Sequence, residues 1–168
     1  MTDVERANRQ DLLAQIRADR ARFDEIVDAV PPELLTEPIL PGGWTVKDVL
    51  GHIAWGDREG IGMMRARALV GSPLWDRPQD ERNEEVVREN RSRPLDEVMA
   101  DYRAAFDEWM SAMEELTEEE LNDPGRFSGL AERIPGWLPW RVLYDPDHYR
   151  DHGDAIREAL ATRPPAST

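Results

Sequence analysis

At 168 residues the chain is long enough for one domain whose core needs neither disulfides nor a structural metal. It contains no cysteine, which excludes disulfides, thiolate chemistry and cysteine-ligated zinc and leaves histidine and carboxylate as candidate metal ligands. Its 35 acidic and 21 basic residues give a net charge of −14, which disfavours binding to nucleic acid.

Neither a signal peptide nor a membrane span is predicted. The first thirty residues carry charges throughout, and no run of eighteen apolar residues occurs in the sequence. We therefore expect a cytoplasmic protein without a membrane partner.

The first predicted helix lies between Val4 and Val30. Its apolar residues recur every three or four positions, which is the spacing of one buried helical stripe. Pro31 and Pro32 end this helix. The stripe consists of Leu12, Leu13, Ile16, Phe23, Ile26, Val27 and Val30.

The second predicted helix begins at Val46. In the stretch TVKD, Thr45 is placed to cap the helix and Asp48 to complete a capping box. The apolar pattern continues to Leu69 or Val70, where the stretch GSPLWDRP breaks it.

A long connection separates the second and third long helices. Residues 81–91 are predicted as a short helix, and the third long helix runs from Leu95 to about Leu116. A connection of this length lets two helices run parallel through a crossover, whereas a short loop forces antiparallel neighbours. We therefore expect a crossover rather than simple up-down-up-down order.

The last helix is predicted between Trp137 and Ala161. Before it come a capped turn starting at Thr117 and a loop with several helix breakers. Pro146 leaves two alternatives: it kinks the last helix, or it is the first helical residue after an Asp145 cap.

These elements predict an all-α fold, a four-helix bundle with a long crossover between helices two and three. The domain covers residues 1–162, and residues 163–168 are expected to form a flexible tail. No alternating pattern typical of strands competes with this interpretation.

The chain has three histidines. His148 and His152 are four residues apart, so on a helix their imidazoles lie on one face and are able to bind one metal ion. His52 lies in the second helix, followed at four and eight residues by Gly56 and Gly60, which indicate either close helix contact or open space. The four-residue spacing alone is also common in packed or solvated pairs.

Two aromatic residues are candidates for substrate binding. Trp55 falls one turn beyond His52, and Tyr149 lies inside the final histidine motif. Such side chains hold apolar substrates in pockets, although helical aromatics more often belong to the core.

Other polar residues near the histidines carry a weaker signal. Asp145, Asp151 and Glu59 are placed to orient an imidazole or to move a proton. Acidic residues are so numerous that such proximity is expected by chance, and no residue is assigned as catalytic from the sequence. Three arginines that suit a substrate carboxylate are expected instead to form intramolecular ion pairs. They are Arg88, Arg91 and Arg93.

The stretches PGGWTVKDVLGHIAWGDR and HYRDH, with NRSRPLDEV and LTEEEL between them, resemble the DinB-like four-helix bundle superfamily. More narrowly, they are similar to its ClbS/DfsB branch. The resemblance extends over most of the chain and implies a divalent metal, zinc or nickel, held by one histidine of the second helix and two of the fourth. The matching positions are His52, His148 and His152.

The resemblance implies a protein that processes a small molecule. One reading is a metal-assisted hydrolase that detoxifies a reactive metabolite, since three imidazoles leave a metal position open for water or substrate. Alternatives are a transferase or isomerase that uses a low-molecular-weight thiol, a bundle that sequesters a metabolite without turnover, and a structural bundle with packed histidines. A small-molecule partner is expected, and a homodimer stays open.

Overall fold

The computed structural model describes residues 6–162, and the predicted tail and Val4 lie outside this range. The first helix begins only at Arg9, because the Asn8 side chain caps it by accepting from the Asp11 N–H, so the predicted earlier start is wrong. Apart from one isolated bridge between Ala68 and Ser128, the described range is free of β-structure, so the all-α prediction is confirmed. In chain order the helices are α1 (Arg9–Asp28), α2 (Val46–Ala66), α3 (Gln79–Arg91), α4 (Leu95–Glu115), α5 (Glu118–Asn122), α6 (Leu130–Arg133), α7 (Pro139–Leu143) and α8 (His148–Ala161).

Helices α2 and α4 pack side by side and run parallel. Arg58 of α2 forms an ion pair with Asp101 of α4, and seven residues further along both helices Arg65 reaches Glu108 at 2.6 Å. The chain returns between them through α3, which packs on α2. The predicted crossover is therefore confirmed.

Helices α1 and α8 form the second parallel pair. Phe23 of α1 packs against Tyr149 of α8, with ring centroids 5.6 Å apart. Further along both helices, Ile26 lies against Gly153. Because the early residues of α8 meet the second half of α1, α8 occupies only part of the bundle's length.

Helix α1 runs antiparallel to α4. Arg20 stacks over the Tyr102 ring at 3.5 Å, whereas the earlier residue Arg17 pairs with the later residue Glu114. The four long helices are thus ordered up, down, down and up. Within the described range, none of the helices is long and apolar enough to cross a lipid bilayer.

The predicted capping box at Thr45 is present, and the predicted capped turn at Thr117 is also a capping box. The Thr45 hydroxyl accepts from the Asp48 backbone N–H at 3.0 Å, and the Asp48 carboxylate accepts from the Thr45 N–H at 2.9 Å. Thr117 and Glu120 repeat this exchange at the start of α5. These reciprocal hydrogen bonds explain why α2 begins at Val46, as the sequence predicts.

The predicted extension of α2 to Leu69 or Val70 is wrong. The helix ends at Ala66, and Arg67 adopts a left-handed conformation with φ of 48°. The backbone then pairs with Ser128, which donates to the Arg67 carbonyl and accepts from the Leu69 N–H, both at 2.9 Å. This pairing with a distant segment replaces the helical hydrogen bonds that the apolar pattern suggests.

The predicted last helix is divided in two. Helix α7 ends at Leu143, and α8 begins only at His148. Neither alternative for Pro146 holds, because this residue lies in a turn in which the Asp145 carbonyl accepts from the His148 N–H at 3.2 Å. This turn determines where α8 begins along the bundle, and therefore the position of His148.

Arg88 and Arg91 lie in α3 and Arg93 follows it, and two of these three arginines form the expected intramolecular ion pairs. Arg88 pairs with Glu85, and Arg93 pairs with Asp101 at 3.1 Å. At Arg91 the backbone carbonyl accepts a hydrogen bond from the Lys47 ammonium group at 3.0 Å.

Gly60 allows α2 and α4 to approach closely. A Cβ atom at position 60 would lie 2.7 Å from Nε1 of the buried Trp109 indole. We expect Gly60→Ala to destabilise the protein by about 1–2 kcal/mol, because overpacking outweighs the gain in helix propensity. Gly62→Ala is the matched control, since nothing lies within 4 Å of that Cβ position, and we expect it to stabilise slightly. Urea unfolding of both variants checks the difference, and equal stabilities would contradict the close contact.

Candidate metal centre

The three histidines converge at the beginning of α8. His148 is its first residue, His152 follows one turn later, and His52 faces them from α2. The Nε2 atoms of His52 and His148 are 3.1 Å apart. One ring nitrogen of each histidine lies within 4.8 Å of the other two, although the residues come from distant parts of the chain.

The donor set fits a divalent metal ion. Two nitrogens bound at about 2.1 Å to one ion lie at most about 4.2 Å apart. Side-chain shifts of less than about 1 Å would therefore let all three histidine nitrogens bind one ion. Burial, with the neighbouring imidazoles, lowers the pKa of His52 to about 3 and that of His152 to about 4. Burial also lowers the pKa of His148. All three rings are therefore neutral at physiological pH, which is the form that binds metal.

Two tryptophans flank the histidine cluster. The Trp44 ring lies 5.6 Å from His52 and 6.5 Å from His152, measured between centroids, and Trp55 stacks on His52 at 6.4 Å. The buried Nδ1 atom of His52 has no hydrogen-bond partner among the residues described. The orientation of His52 is therefore set by packing rather than by a carboxylate.

The carboxylates considered from the sequence do not orient the imidazoles. Glu59 accepts from the Ser72 N–H at 2.7 Å and from Trp75 Nε1 at 2.8 Å, so it holds the segment after α2. Asp151 is exposed and pairs with Arg150 at 3.5 Å. Asp145 lines the cavity described next.

A cavity of about 260 Å³ adjoins the cluster, with His52 and His148 in its wall. Both aromatic residues singled out in the sequence, Trp55 and Tyr149, line it. Gly56 also lines it, and nothing lies within 4 Å of a Cβ atom built there. Open space at Gly56 and close contact at Gly60 are thus both present along one helix. The volume is slightly below the range of drug-sized pockets and suits a small metabolite.

The crossover supplies the outer wall of this cavity, which sequence reasoning missed. Trp75 stacks on Trp55 with centroids 5.6 Å apart, and the Arg82 guanidinium of α3 lies 4.5 Å from the Trp75 ring. Trp109 of α4 lines the inner wall. The exposed fraction of Trp75 is 40%, so this indole lies between the cavity and solvent.

One carboxyl group in the cavity wall was also missed. Asp57 lies in the middle of α2, and its shielded Oδ2 atom has no hydrogen-bond partner within residues 6–162. Burial raises the pKa of Asp57 to about 7, against the opposing charges of Arg20 and Arg58. A signal was present in the sequence, because Asp57 interrupts the apolar stripe between Ile53 and Ile61.

Comparisons with known proteins point to one family. The sequence model described as the DinB superfamily matches residues 15–156, which is most of the chain and includes all three histidines. No curated protein and no solved structure matches significantly.

Proposed function

The chain belongs to the DinB superfamily, and we propose that it binds one divalent metal ion through His52, His148 and His152 and acts on a small molecule in the adjoining cavity. The observation that carries this proposal is the convergence of three neutral imidazoles on the wall of a metabolite-sized cavity. When bound, an ion with three imidazole ligands supplies a Lewis acid with an open coordination position.

The cavity wall supports an apolar substrate with a polar substituent. Trp55, Trp75 and Trp109 offer aromatic surface to an apolar body and exclude water from it. Arg82 and Asn83 of α3 line the same space and provide hydrogen-bond donors. We propose hydrolysis of a reactive metabolite, as implied by the similarity of PGGWTVKDVLGHIAWGDR and HYRDH to the ClbS/DfsB branch.

A thiol-dependent transferase or isomerase is the second candidate, and Arg82 favours it. A guanidinium group in the cavity wall suits the carboxylate of a low-molecular-weight thiol. Turnover that requires an added thiol would support this candidate over hydrolysis. Binding of one metabolite molecule per chain without turnover would support sequestration of the metabolite instead.

Metal content of the untagged protein tests the proposal. Elemental mass spectrometry after zinc loading and desalting should find about one ion per chain, because three imidazoles form one site. The double variant His148→Ala/His152→Ala should lose the ion and keep its helical circular dichroism. Nickel loading in parallel shows which metal the site prefers. A wild-type protein that retains neither metal would contradict the proposed centre.

A further inference from the structure

Asp57 is a carboxyl group placed where the fold would accommodate an apolar residue. It lies four residues from Ile53 and from Ile61, which are 2% and 4% exposed. Its shielded Oδ2 atom has no partner in the described part of the chain, and the side chain lines the cavity beside the histidines. A carboxyl oxygen that is shielded from solvent without a hydrogen-bond partner costs stability, and such costs are concentrated at functional sites.

A buried arginine of the core, Arg20, directs its hydrogen bonds to groups other than Asp57, although its Nη1 atom has no partner in the described range. Arg20 of α1 donates from Nε to both Asp24 carboxylate oxygens, at 3.0 and 3.1 Å, and from Nη2 to the Tyr102 carbonyl at 3.3 Å. Its charge lowers the pKa of Asp57 without forming an ion pair with it. Arg58, the next residue of α2, instead pairs with Asp101. Within the described residues, Asp57 therefore forms no direct ion pair with either arginine.

The cavity side of Asp57 is open to a bound molecule. Burial raises its pKa to about 7, so much of the carboxyl population keeps its proton near neutrality, where general acids and bases are most effective. Other charged or titratable groups line the same space from α2, α3, α8 and the turn before α8. They are His52, Arg82, Asp145, His148 and Tyr149, with Tyr144 beside them.

We infer that Asp57 is the proton-transferring catalytic residue of this cavity, an inference that rests on the proposed function. Its carboxyl O–H bond breaks, and the proton moves to a heteroatom of the substrate as the bond from that atom to carbon breaks with its electron pair. The water molecule that adds to the carbon returns its proton to the carboxylate. The substrate class is therefore one whose leaving oxygen, nitrogen or sulfur must be protonated, including strained heterocycles.

A small uncharged carbodiimide reports the same proton transfer. N,N′-diisopropylcarbodiimide takes a proton from a carboxylic acid onto nitrogen, the carboxylate adds to its central carbon, and acyl transfer to nitrogen leaves a stable N-acylurea. We expect peptide mass spectrometry of the full chain to find this adduct on Asp57 at pH 6. Above pH 7 the labelling rate should fall about tenfold per pH unit, because the reactive acid form is lost at that rate.

Asp101 is the internal control for this labelling. It lies on the facing helix and is half-shielded, but it is ion-paired with Arg58 and Arg93 and should stay unlabelled. The adduct should also be missing from Asp57→Asn. An unlabelled Asp57 at pH 6, or a labelling rate that stays constant to pH 9, overturns the inference. Zinc content of the same samples separates the two proposals: labelling without zinc supports Asp57 and contradicts the metal centre, whereas zinc without labelling does the opposite.

Discussion

Zinc is expected to raise the unfolding temperature of the wild-type protein by about 5–10 °C, and His52→Ala is expected to abolish this rise. A ligand at 100 times its dissociation constant that binds only the folded state adds about 2.7 kcal/mol to the free energy of unfolding. In a domain of this size each kcal/mol shifts the midpoint by about 2–4 °C. Because His52 is the one proposed ligand from α2, its loss should weaken zinc binding at least about 100-fold, which exceeds the effect of losing a residue that only supports a ligand.

Calorimetry with and without zinc, and with a chelator, measures this effect. Asp151→Asn is the matched control, because Asp151 lies beside His152 in sequence but is exposed and pairs with Arg150. This variant should respond to zinc as the wild type does. An equal zinc response in His52→Ala would show that the ion binds elsewhere, for example at surface carboxylates.

Much of the histidine site could be predicted from the sequence because it depends on local helix geometry. The capping box at Thr45 fixes where α2 begins, so His52 has a defined face of that helix. The four-residue spacing of His148 and His152 likewise needs only one turn of helix. That these two faces meet depends on how α2 and α8 are placed in the bundle, which the sequence alone does not specify.

The outer wall of the cavity could not be predicted, because it depends on how distant segments pair. Helix α8 begins at His148 after the Pro146 turn, and the backbone after Ala66 pairs with Ser128. The first is a local turn and the second a long-range pairing, and neither leaves a periodic pattern. Trp75 also reaches the cavity only because Glu59 holds its segment through two hydrogen bonds.

Two charged residues that the fold shields from solvent, wholly or in part, interrupt apolar stripes in the sequence. Arg20 interrupts the apolar stripe of α1 between Ile16 and Phe23, as Asp57 interrupts that of α2. A charged residue at such a position in an otherwise regular stripe departs from the expected pattern. The structure buries Arg20, which is 4% exposed, and places Asp57 in the cavity wall with its Oδ2 atom shielded from solvent.

Replacing Asp57 with asparagine is expected to change the free energy of unfolding of the metal-free protein more favourably at alkaline pH than at acid pH. Burial raises the folded-state pKa of Asp57 from 3.8 to about 7, so the folded state favours the protonated carboxyl. The resulting contribution to the free energy of unfolding is fully present below the unfolded-state pKa of 3.8 and is lost as pH rises through 7. The shift of about 3 units sets a ceiling of about 4 kcal/mol, and partial solvent access reduces the expected effect to about 1–3 kcal/mol.

The measurement is the difference in unfolding free energy between Asp57→Asn and wild type, at pH 5 and at pH 9, in chelator. The relative stability of the variant should rise across this interval, mostly between pH 5 and 7. For Asp101→Asn we expect a change in stability of the opposite sign. Burial would raise the pKa of Asp101, but hydrogen bonds from Arg58 and Arg93 lower it. This variant should therefore lose stability wherever Asp101 is ionised in the wild type. If Asp57→Asn were instead equally destabilising at both pH values, Asp57 would be a structural hydrogen-bonding residue, and ionising its carboxyl would not cost the folded protein stability.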